Sequence, residues 1–313
     1  METPTHTLDS IKAEAKRLGF YACGAAPAST LDTENQGFYR KYIAEQRHAG
    51  MAYMERNTDK RLNPTLLMPE ARTLISVALN YYPAQTLPPD HYAFAYYAYG
   101  RDYHDLMKER LAQLLAAITH ADGTPVQGRV FCDTAPLAER YWAWRCGLGW
   151  TGKNTQLIIP RAGSYFFLGE LLIDATLDAY DHPQPNRCGN CSRCLEACPT
   201  QALSAPGKLD AGRCLSYLTI EHREPFPDTF TLPHTIYGCD RCQQVCPWNR
   251  FAIPTNEPHL APNPQFLAMT PDDWHHLTVE QYRTLFKGSA VKRTKFEGLT
   301  RNIAAAKRHS DRE

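Results

Sequence analysis

The stretch Cys188-Gly189-Asn190-Cys191-Ser192-Arg193-Cys194-Leu195-Glu196-Ala197-Cys198-Pro199 decides how this chain is read. Its spacing is C-x2-C-x2-C-x3-C-P. Three thiolates on one tight loop can wrap three irons of a cubane cluster, while the fourth cysteine points away and reaches a second cubane. Pro199 ends the loop by fixing φ and withholding an N–H. Downstream, Cys239-Asp240-Arg241-Cys242-Gln243-Gln244-Val245-Cys246-Pro247 keeps C-x2-C-x3-C-P but lacks one cysteine at the front. Cys214, in Ala211-Gly212-Arg213-Cys214-Leu215, can fill that place. Crossing the fourth ligands gives Cys188, Cys191, Cys194 and Cys246 for one cluster, and Cys198, Cys214, Cys239 and Cys242 for the other.

The competing reading is a pair of structural zinc sites. Zinc ribbons use two C-x2-C pairs and need neither the three-cysteine run nor the paired Cys-Pro endings. The spacing therefore favours two 4Fe–4S clusters in a bacterial-ferredoxin-like segment, a wire for single electrons. The other cysteines, Cys23, Cys132 and Cys146, read as small buried residues. A disulfide framework would need an oxidising compartment, and nothing points to one. Met1–Ser10 is polar and lacks the pattern of a secretory signal. No apolar run approaches the roughly 20 residues that cross a bilayer. A cytoplasmic protein with no membrane partner is expected. No heptad repeat suggests assembly, so a monomer is expected.

Around the cysteine segment, alternating strand and helix patterns suggest an α/β or α+β domain over residues 1–180, followed by the ferredoxin-like domain over 181–252 and a helical basic tail over 253–313. Leu8, Ile11, Ala15 and Leu18 mark a helix ending near Gly19. Residues 73–82 read as a buried strand, and 104–119 as a helix. Residues 156–160 and 164–174 read as two strands joined at Arg161-Ala162-Gly163. Net charge is +1, yet Lys287, Lys292, Arg293, Lys295, Arg301, Lys307 and Arg308 crowd the tail. Such a tail can meet phosphates or simply be a solvated helix face.

Three segments carry further chemistry. Val130-Phe131-Cys132-Asp133 reads as a strand ending in a carboxylate, either placed for proton transfer or capping a helix. Gly147-Leu148-Gly149-Trp150-Thr151-Gly152-Lys153-Asn154 can let a backbone approach a ligand, though it fits no phosphate-loop pattern and could be a structural turn. The aromatic stretch Tyr92–His104 reads as core packing or as a wall for a planar cofactor.

Taken in order, Lys60-Arg61-Leu62-Asn63-Pro64, Gly100–His104, Val130–Thr134, Gly149–Asn154, Gly163-Ser164-Tyr165, the cysteine runs, Gly288–Arg293 and Gly298–Asn302 resemble the epoxyqueuosine reductases, cobalamin-dependent iron–sulfur enzymes of queuosine biosynthesis. The resemblance runs to about residue 305. It implies reduction of the epoxide of epoxyqueuosine in a tRNA anticodon loop, with cobalamin between the large domain and the ferredoxin-like domain, fed by the clusters from an external one-electron donor. Asp133 matches the family's proton donor, and burial against the corrin predicts a raised pKa for it. Arg61 matches a cobalamin-contacting arginine, Lys153 and Asn154 a loop lining that cofactor, and Ser216, Asp240 and Arg241 the same interface. Two departures stand out: Ala95 occupies a position where some members carry cysteine, and the chain ends at Glu313, before the helical repeats with which many members grip tRNA. RNA contacts are then expected from Tyr217, His222, Arg223 and the tail lysines. The alternatives are a reductive dehalogenase-like enzyme acting on a small molecule, and an electron-transfer subunit.

Overall fold

The computed structural model describes residues 7–120 and 122–311. Met1–His6, part of the start read as lacking a signal, and the terminal Glu313 lie outside the described residues. Helix α1 (Leu8–Arg17) is capped by Thr7, whose hydroxyl accepts the Ser10 N–H, and ends before Gly19 at φ +88°. It buries Leu8, Ile11 and Ala15, the periodic face expected of it. Strand β1 (Ala22–Pro27), helices α2 (Thr33–Ala44) and α3 (Thr58–Leu62), and strand β2 (Thr73–Asn80) follow. β3 (Ala93–Phe94) opens the aromatic stretch, and α4 (Tyr103–Ala116) begins one residue earlier than the sequence pattern suggests, because Asp102 caps it. β4 (Gly128–Phe131), α5 (Glu139–Arg145), the short pair β5 (Trp150–Thr151) and β6 (Leu157–Ile158), and β7 (Phe166–Ile173) complete the large domain.

Four of these strands form one antiparallel sheet in the order β1-β2-β7-β4, so the domain is α+β. Side chains alternate across a strand, and here both faces are covered. Ile75, Val77 and Leu79 of β2 pack with α1 and α4, while Leu74 and Ala78 face α5 and its neighbours. This explains why β2 reads as an unbroken apolar run. On β7, Leu168 and Leu172 belong to the α5 face, and Glu170 lies between them, fully buried. The segment 156–160 pairs with β5 rather than joining the main sheet. Asp133 does not cap a helix, since α5 starts at Glu139 with Ala138 as its cap residue.

The cysteine segment contributes α6 (Arg193–Glu196), the hairpin β8 (Leu203–Ala205) and β9 (Lys208–Leu209), α7 (Leu215–Ile220), β10 (Thr235–Tyr237) and α8 (Arg241–Gln244). Parallel pairing of β10 with β3 binds it to the aromatic stretch. Gly238, at φ +66°, follows; a Cβ there would sit 2.5 Å from that of Ala95, so only glycine allows this approach. The region expected as a tail does not stand apart. Its helices α9 (Pro264–Leu267), α10 (Pro271–His275), α11 (Val279–Leu285) and α12 (Lys295–Ser310) close a second core, in which Phe266, Trp274, Phe286 and Ile303 pack with Phe94, Ile220 and Tyr237. The core half of the reading of Tyr92–His104 therefore holds for Phe94. Among the described residues no helix is long and apolar enough to cross a membrane.

Candidate redox and proton-transfer site

The cysteine loops are held by the glycine-rich loop of the large domain. Cys188, Cys191, Cys194 and Cys246 surround a cavity of about 40 Å³ whose other walls include Lys153, Asn154 and Trp248. Lys153 Nζ donates to the carbonyls of Gly189 and Cys191 at 2.7 and 2.8 Å. Asn154 is buried, and its amide reaches the Cys242 carbonyl at 3.4 Å. Trp248 sits edge-on to Trp150 at 4.8 Å. Gly149–Asn154 thus fastens the cysteine loops. The structure brings Lys153 and Asn154 to this cavity, where the sequence led us to expect the cobalamin face. The remaining cysteines form a second neighbourhood. Burial raises the Cys239 thiol to about 12, with Cys214 and Cys198 adding to the effect. Cys242 is raised by burial first, then by Cys239 and, further down, by Cys214 and Cys194. The first grouping holds the four cysteines of one expected set, and Cys194 of that set is also felt by Cys242.

A second centre lies where β4 ends. Asp133 takes a left-handed backbone, φ +58°, and its side chain is 59% exposed. Cys132 beside it is fully buried, as alternation requires. The Asp133 N–H donates to Glu139 Oε1 across the turn. Its carboxylate meets His104 Nε2 at 3.3 Å and accepts from the Tyr103 hydroxyl at 3.1 Å. His104 Nδ1 lies 2.6 Å from Asp102 Oδ1, so the imidazole bridges two carboxylates. The Tyr103 ring is sandwiched between His104 and Phe167, at 4.2 and 4.0 Å.

The electrostatics differ from the expectation for Asp133. The bond from His104 comes first among the causes that hold its carboxyl below the ordinary value. His104 is correspondingly raised to about 9, by its bonds to Asp102 and then Asp133. In the protein by itself Asp133 is ionised and the proton rests on His104. Near Asp133 the carboxyls raised by burial are Glu139, to about 7, and Glu170, well above a normal carboxyl. Glu170 accepts from Ser76 at 3.3 Å through Oε1, and its Oε2 has no hydrogen-bond partner among the described residues. Both acids escaped the sequence reading, as did the role of His104 within a segment that was noted. Arg140 was also missed. Its guanidinium donates to the Thr155 carbonyl at 3.2 Å, and its charge is felt by Asp133, Glu139, Tyr81 and Cys214. Arg140 therefore acts on the proton-transfer centre while its guanidinium is tied to the loop that carries Lys153 and Asn154.

The other expected residues are dispersed. Arg61 donates to the Leu137 carbonyl at 3.1 Å, within the turn that carries Asp133, and its Nε is buried without a partner among the described residues. Ser216 follows Cys214 on α7, and its backbone N–H faces the Cys214 sulfur. Arg241 is exposed. Asp240 is buried, and its oxygens are taken by the Tyr96 N–H at 2.7 Å and the Gln243 amide at 2.9 Å. It ties the aromatic stretch to the cysteine domain and offers no free carboxylate to a ligand.

A carboxylate–imidazole couple and a four-cysteine cavity in one chain are the parts of an iron–sulfur redox enzyme. Two family descriptions match: "4Fe-4S double cluster binding domain" over residues 187–249, and "Epoxyqueuosine reductase QueG, DUF1730" over residues 61–134. An epoxyqueuosine reductase of Cellulophaga algicola is 44% identical over 97% of this chain and 99% of its own length. One of Xanthomonas campestris is 40% identical, over 96% and 86%. Among solved structures, an epoxyqueuosine reductase with an epoxyqueuosine-modified tRNA-Tyr stem loop superposes with a TM-score of 0.85 at 29% identity, covering 94% of this chain and 79% of that one. A Bacillus subtilis epoxyqueuosine reductase with its catalytic loop swung out of the active site gives 0.82 at 28%, with the same coverage. The chain belongs to the epoxyqueuosine reductase family and is an oxidoreductase that carries two 4Fe–4S clusters.

Proposed function

We propose that this protein reduces epoxyqueuosine to queuosine in the anticodon loop of tRNA, in the cytoplasm, with cobalamin as its catalytic cofactor. The observation that carries the reading is the proton store at Asp102–His104–Asp133, set beside a two-cluster electron path. Converting an epoxide to an alkene consumes two electrons and two protons and releases water. The clusters supply single electrons, and the carboxylate–imidazolium relay supplies protons.

Cobalamin fits the residues present. It bears carboxamides and a phosphate, which accept hydrogen bonds. The buried donors without partners among the described residues include Arg61 Nε, Arg47 Nε and Nη1, and Thr155 Oγ1. Buried polar groups left unpaired are costly, so such donors mark a place for an acceptor-rich ligand. Arg61, Arg47, Thr155 and Ser216 would hold the group; Lys153, Asn154 and Asp240 support the walls behind it. When bound, cobalamin supplies a strongly reducing metal centre able to open the epoxide. His104 holds the proton that Asp133, the more exposed member of the couple, presents to the departing oxygen. Tyr103, locked by stacking, orients the carboxylate. Arg140 favours the anionic side chain.

The RNA reading draws support from the family relative solved with a tRNA stem loop and from exposed Lys287, Lys292, Lys295 and Lys307. Tyr217 is otherwise occupied, its hydroxyl accepting the Gly50 N–H at 2.9 Å. The deciding experiment reconstitutes the protein anaerobically with iron, sulfide and cobalamin, adds a strong reductant and tRNA from cells lacking this gene, and follows both nucleosides by mass spectrometry. Cobalamin-dependent conversion is the expected result. No conversion, with clusters and cobalamin bound, refutes the reading.

A further inference from the structure

Electrons reach the clusters from outside the chain, so some surface must receive the donor. One open surface of that kind flanks a cysteine of the first group. It is an open groove of about 800 Å³ where the large domain meets α6 and α8. One wall is aromatic, formed by Tyr82, Tyr96 and Tyr165, with Tyr82 stacked on Tyr165 at 5.0 Å. The opposite wall carries Arg193, Arg250 and Glu196, all exposed. Its floor includes Cys246 and Pro247, and these same two residues also wall the inner cysteine cavity. A group resting in the groove is thus separated from the Cys188–Cys191–Cys194–Cys246 cluster by a single ligand residue.

We propose that this groove is the docking face for a small acidic one-electron carrier protein, which presents its redox centre against Cys246–Pro247 and is steered by Arg193 and Arg250. Neither arginine forms an ion pair with a described residue; the Arg250 guanidinium lies over the Phe251 ring at 4.6 Å. Arg161, exposed at the tip of the adjoining turn, adds to the positive rim: Ser164, three residues on, bonds through its N–H to Asn249 in the groove wall at 2.7 Å. Two arginines and one glutamate line the groove itself, so an acidic surface is attracted. An open cleft with flat rings on one side suits a carrier that projects a planar flavin edge, better than a buried small molecule. Each encounter oxidises the carrier by one electron and reduces the Cys246 cluster by one. Two encounters furnish the pair that the family reaction consumes.

The test follows cluster reduction by absorbance in stopped flow, using the reconstituted full chain without tRNA. Reduced flavodoxin is the carrier probe, and dithionite is the small-molecule control. In Arg193→Glu/Arg250→Glu the flavodoxin rate constant should fall by about tenfold or more at low salt. The wild-type rate should fall as salt rises, and dithionite reduction should be unchanged. Arg250→Glu, outside the three-cysteine run, should show a smaller drop in the same direction with full iron content. Arg193→Lys/Arg250→Lys should retain most of the wild-type rate. Binding of oxidised flavodoxin, measured by calorimetry, should weaken in parallel. Flavodoxin rates and affinity that resist charge reversal and salt would overturn the proposal. Because no tRNA is present, this result is independent of whether epoxyqueuosine is the substrate.

Discussion

His104 Nε2 stands 3.3 Å from Asp133 Oδ2 while its other nitrogen stands 2.6 Å from Asp102 Oδ1, so one imidazole is clamped between two carboxylates. That arrangement divides the labour of proton transfer. Asp133 reaches into the open, and His104, less exposed, keeps the proton at neutral pH. A carboxylate that delivers a proton it does not itself store needs both partners.

Removing either should therefore cripple the same step. Asp133→Asn and His104→Gln are each expected to lower the rate of epoxide reduction by roughly 10²–10⁴, the usual weight of a positioned acid. Reduction of the clusters by dithionite should not change. A His104→Gln protein with wild-type turnover would show that the proton comes from elsewhere.

The same clamp predicts a pH dependence of stability. His104 is raised from 6.5 to about 9 in the folded protein. A group raised on folding stabilises the native state fully below its unfolded value, and that contribution is lost as pH rises through the folded value. The stability gap between wild type and His104→Gln should be widest below about pH 6.5 and should close towards about pH 9. Anaerobic urea unfolding across that range measures it. A gap that widens with pH would contradict the assignment.

Glu139 acts on Asp133 from behind, through the backbone. Its Oε1 accepts the Asp133 N–H and so fixes a left-handed turn that non-glycine residues adopt only when held. Glu139→Gln keeps an acceptor there and should retain most activity, whereas Glu139→Ala should free the turn and cost on the order of tenfold in kcat. Glutamine also removes the charge that burial, and then Asp133, resist. It should therefore remove any inflection near pH 7 from the activity profile. An alanine variant with unchanged kcat would remove the positioning role.

Much of this was legible from the chain. The cysteine spacing is local, and a cubane makes local demands, so a double-cluster segment could be read before any fold was known. Asp133 was legible because a strand ended on it. The partners of Asp133 were not. His104 comes from another element, 29 residues earlier, and Glu170 meets Ser76 across 94 residues. Strand register sets Ser76 opposite Glu170, and the packing of α4 brings His104 to Asp133. Lys153 shows the converse: a glycine-rich loop announces close approach, but the sequence does not say to what. The packing of the helical basic tail was not legible for a similar reason, since the aromatic face it covers, Tyr92 to Tyr99, lies far away in the chain.

Lys153 offers a direct check. Its ammonium holds the Gly189 and Cys191 carbonyls, on the loop that carries three of the four ligands of one cluster. Lys153→Ala should leave cobalamin affinity within about twofold and speed chelator-driven loss of half the iron, because hydrogen bonds to a charged donor contribute about 1.5–3 kcal/mol. Iron release to a chromogenic chelator and cobalamin titration separate the two effects. Weakened cobalamin binding with normal iron release would return Lys153 to the cofactor face.

The basic residues of the C-terminal region split into two kinds, and the split can be tested. Arg301 donates to the carbonyls of His222, Glu224 and Leu218 and lies over the Phe226 ring at 4.3 Å, while Arg308 holds the Phe230 carbonyl. Arg293 pairs with Glu221 through two bonds at 2.8 and 2.9 Å. Those three are committed within the protein. Lys292 and Lys295 are exposed and free of ion pairs with described residues. Arg301→Ala should destabilise the second core by about 2–3 kcal/mol, since it leaves several carbonyls unpaired. Lys292→Ala and Lys295→Ala should be nearly neutral in stability. If they meet phosphate, each should weaken tRNA binding and reduce the slope of log affinity against log salt by about 0.7–1. Filter binding at several salt concentrations reads the slope directly. Unchanged slopes in both lysine variants would move the RNA contact off this surface.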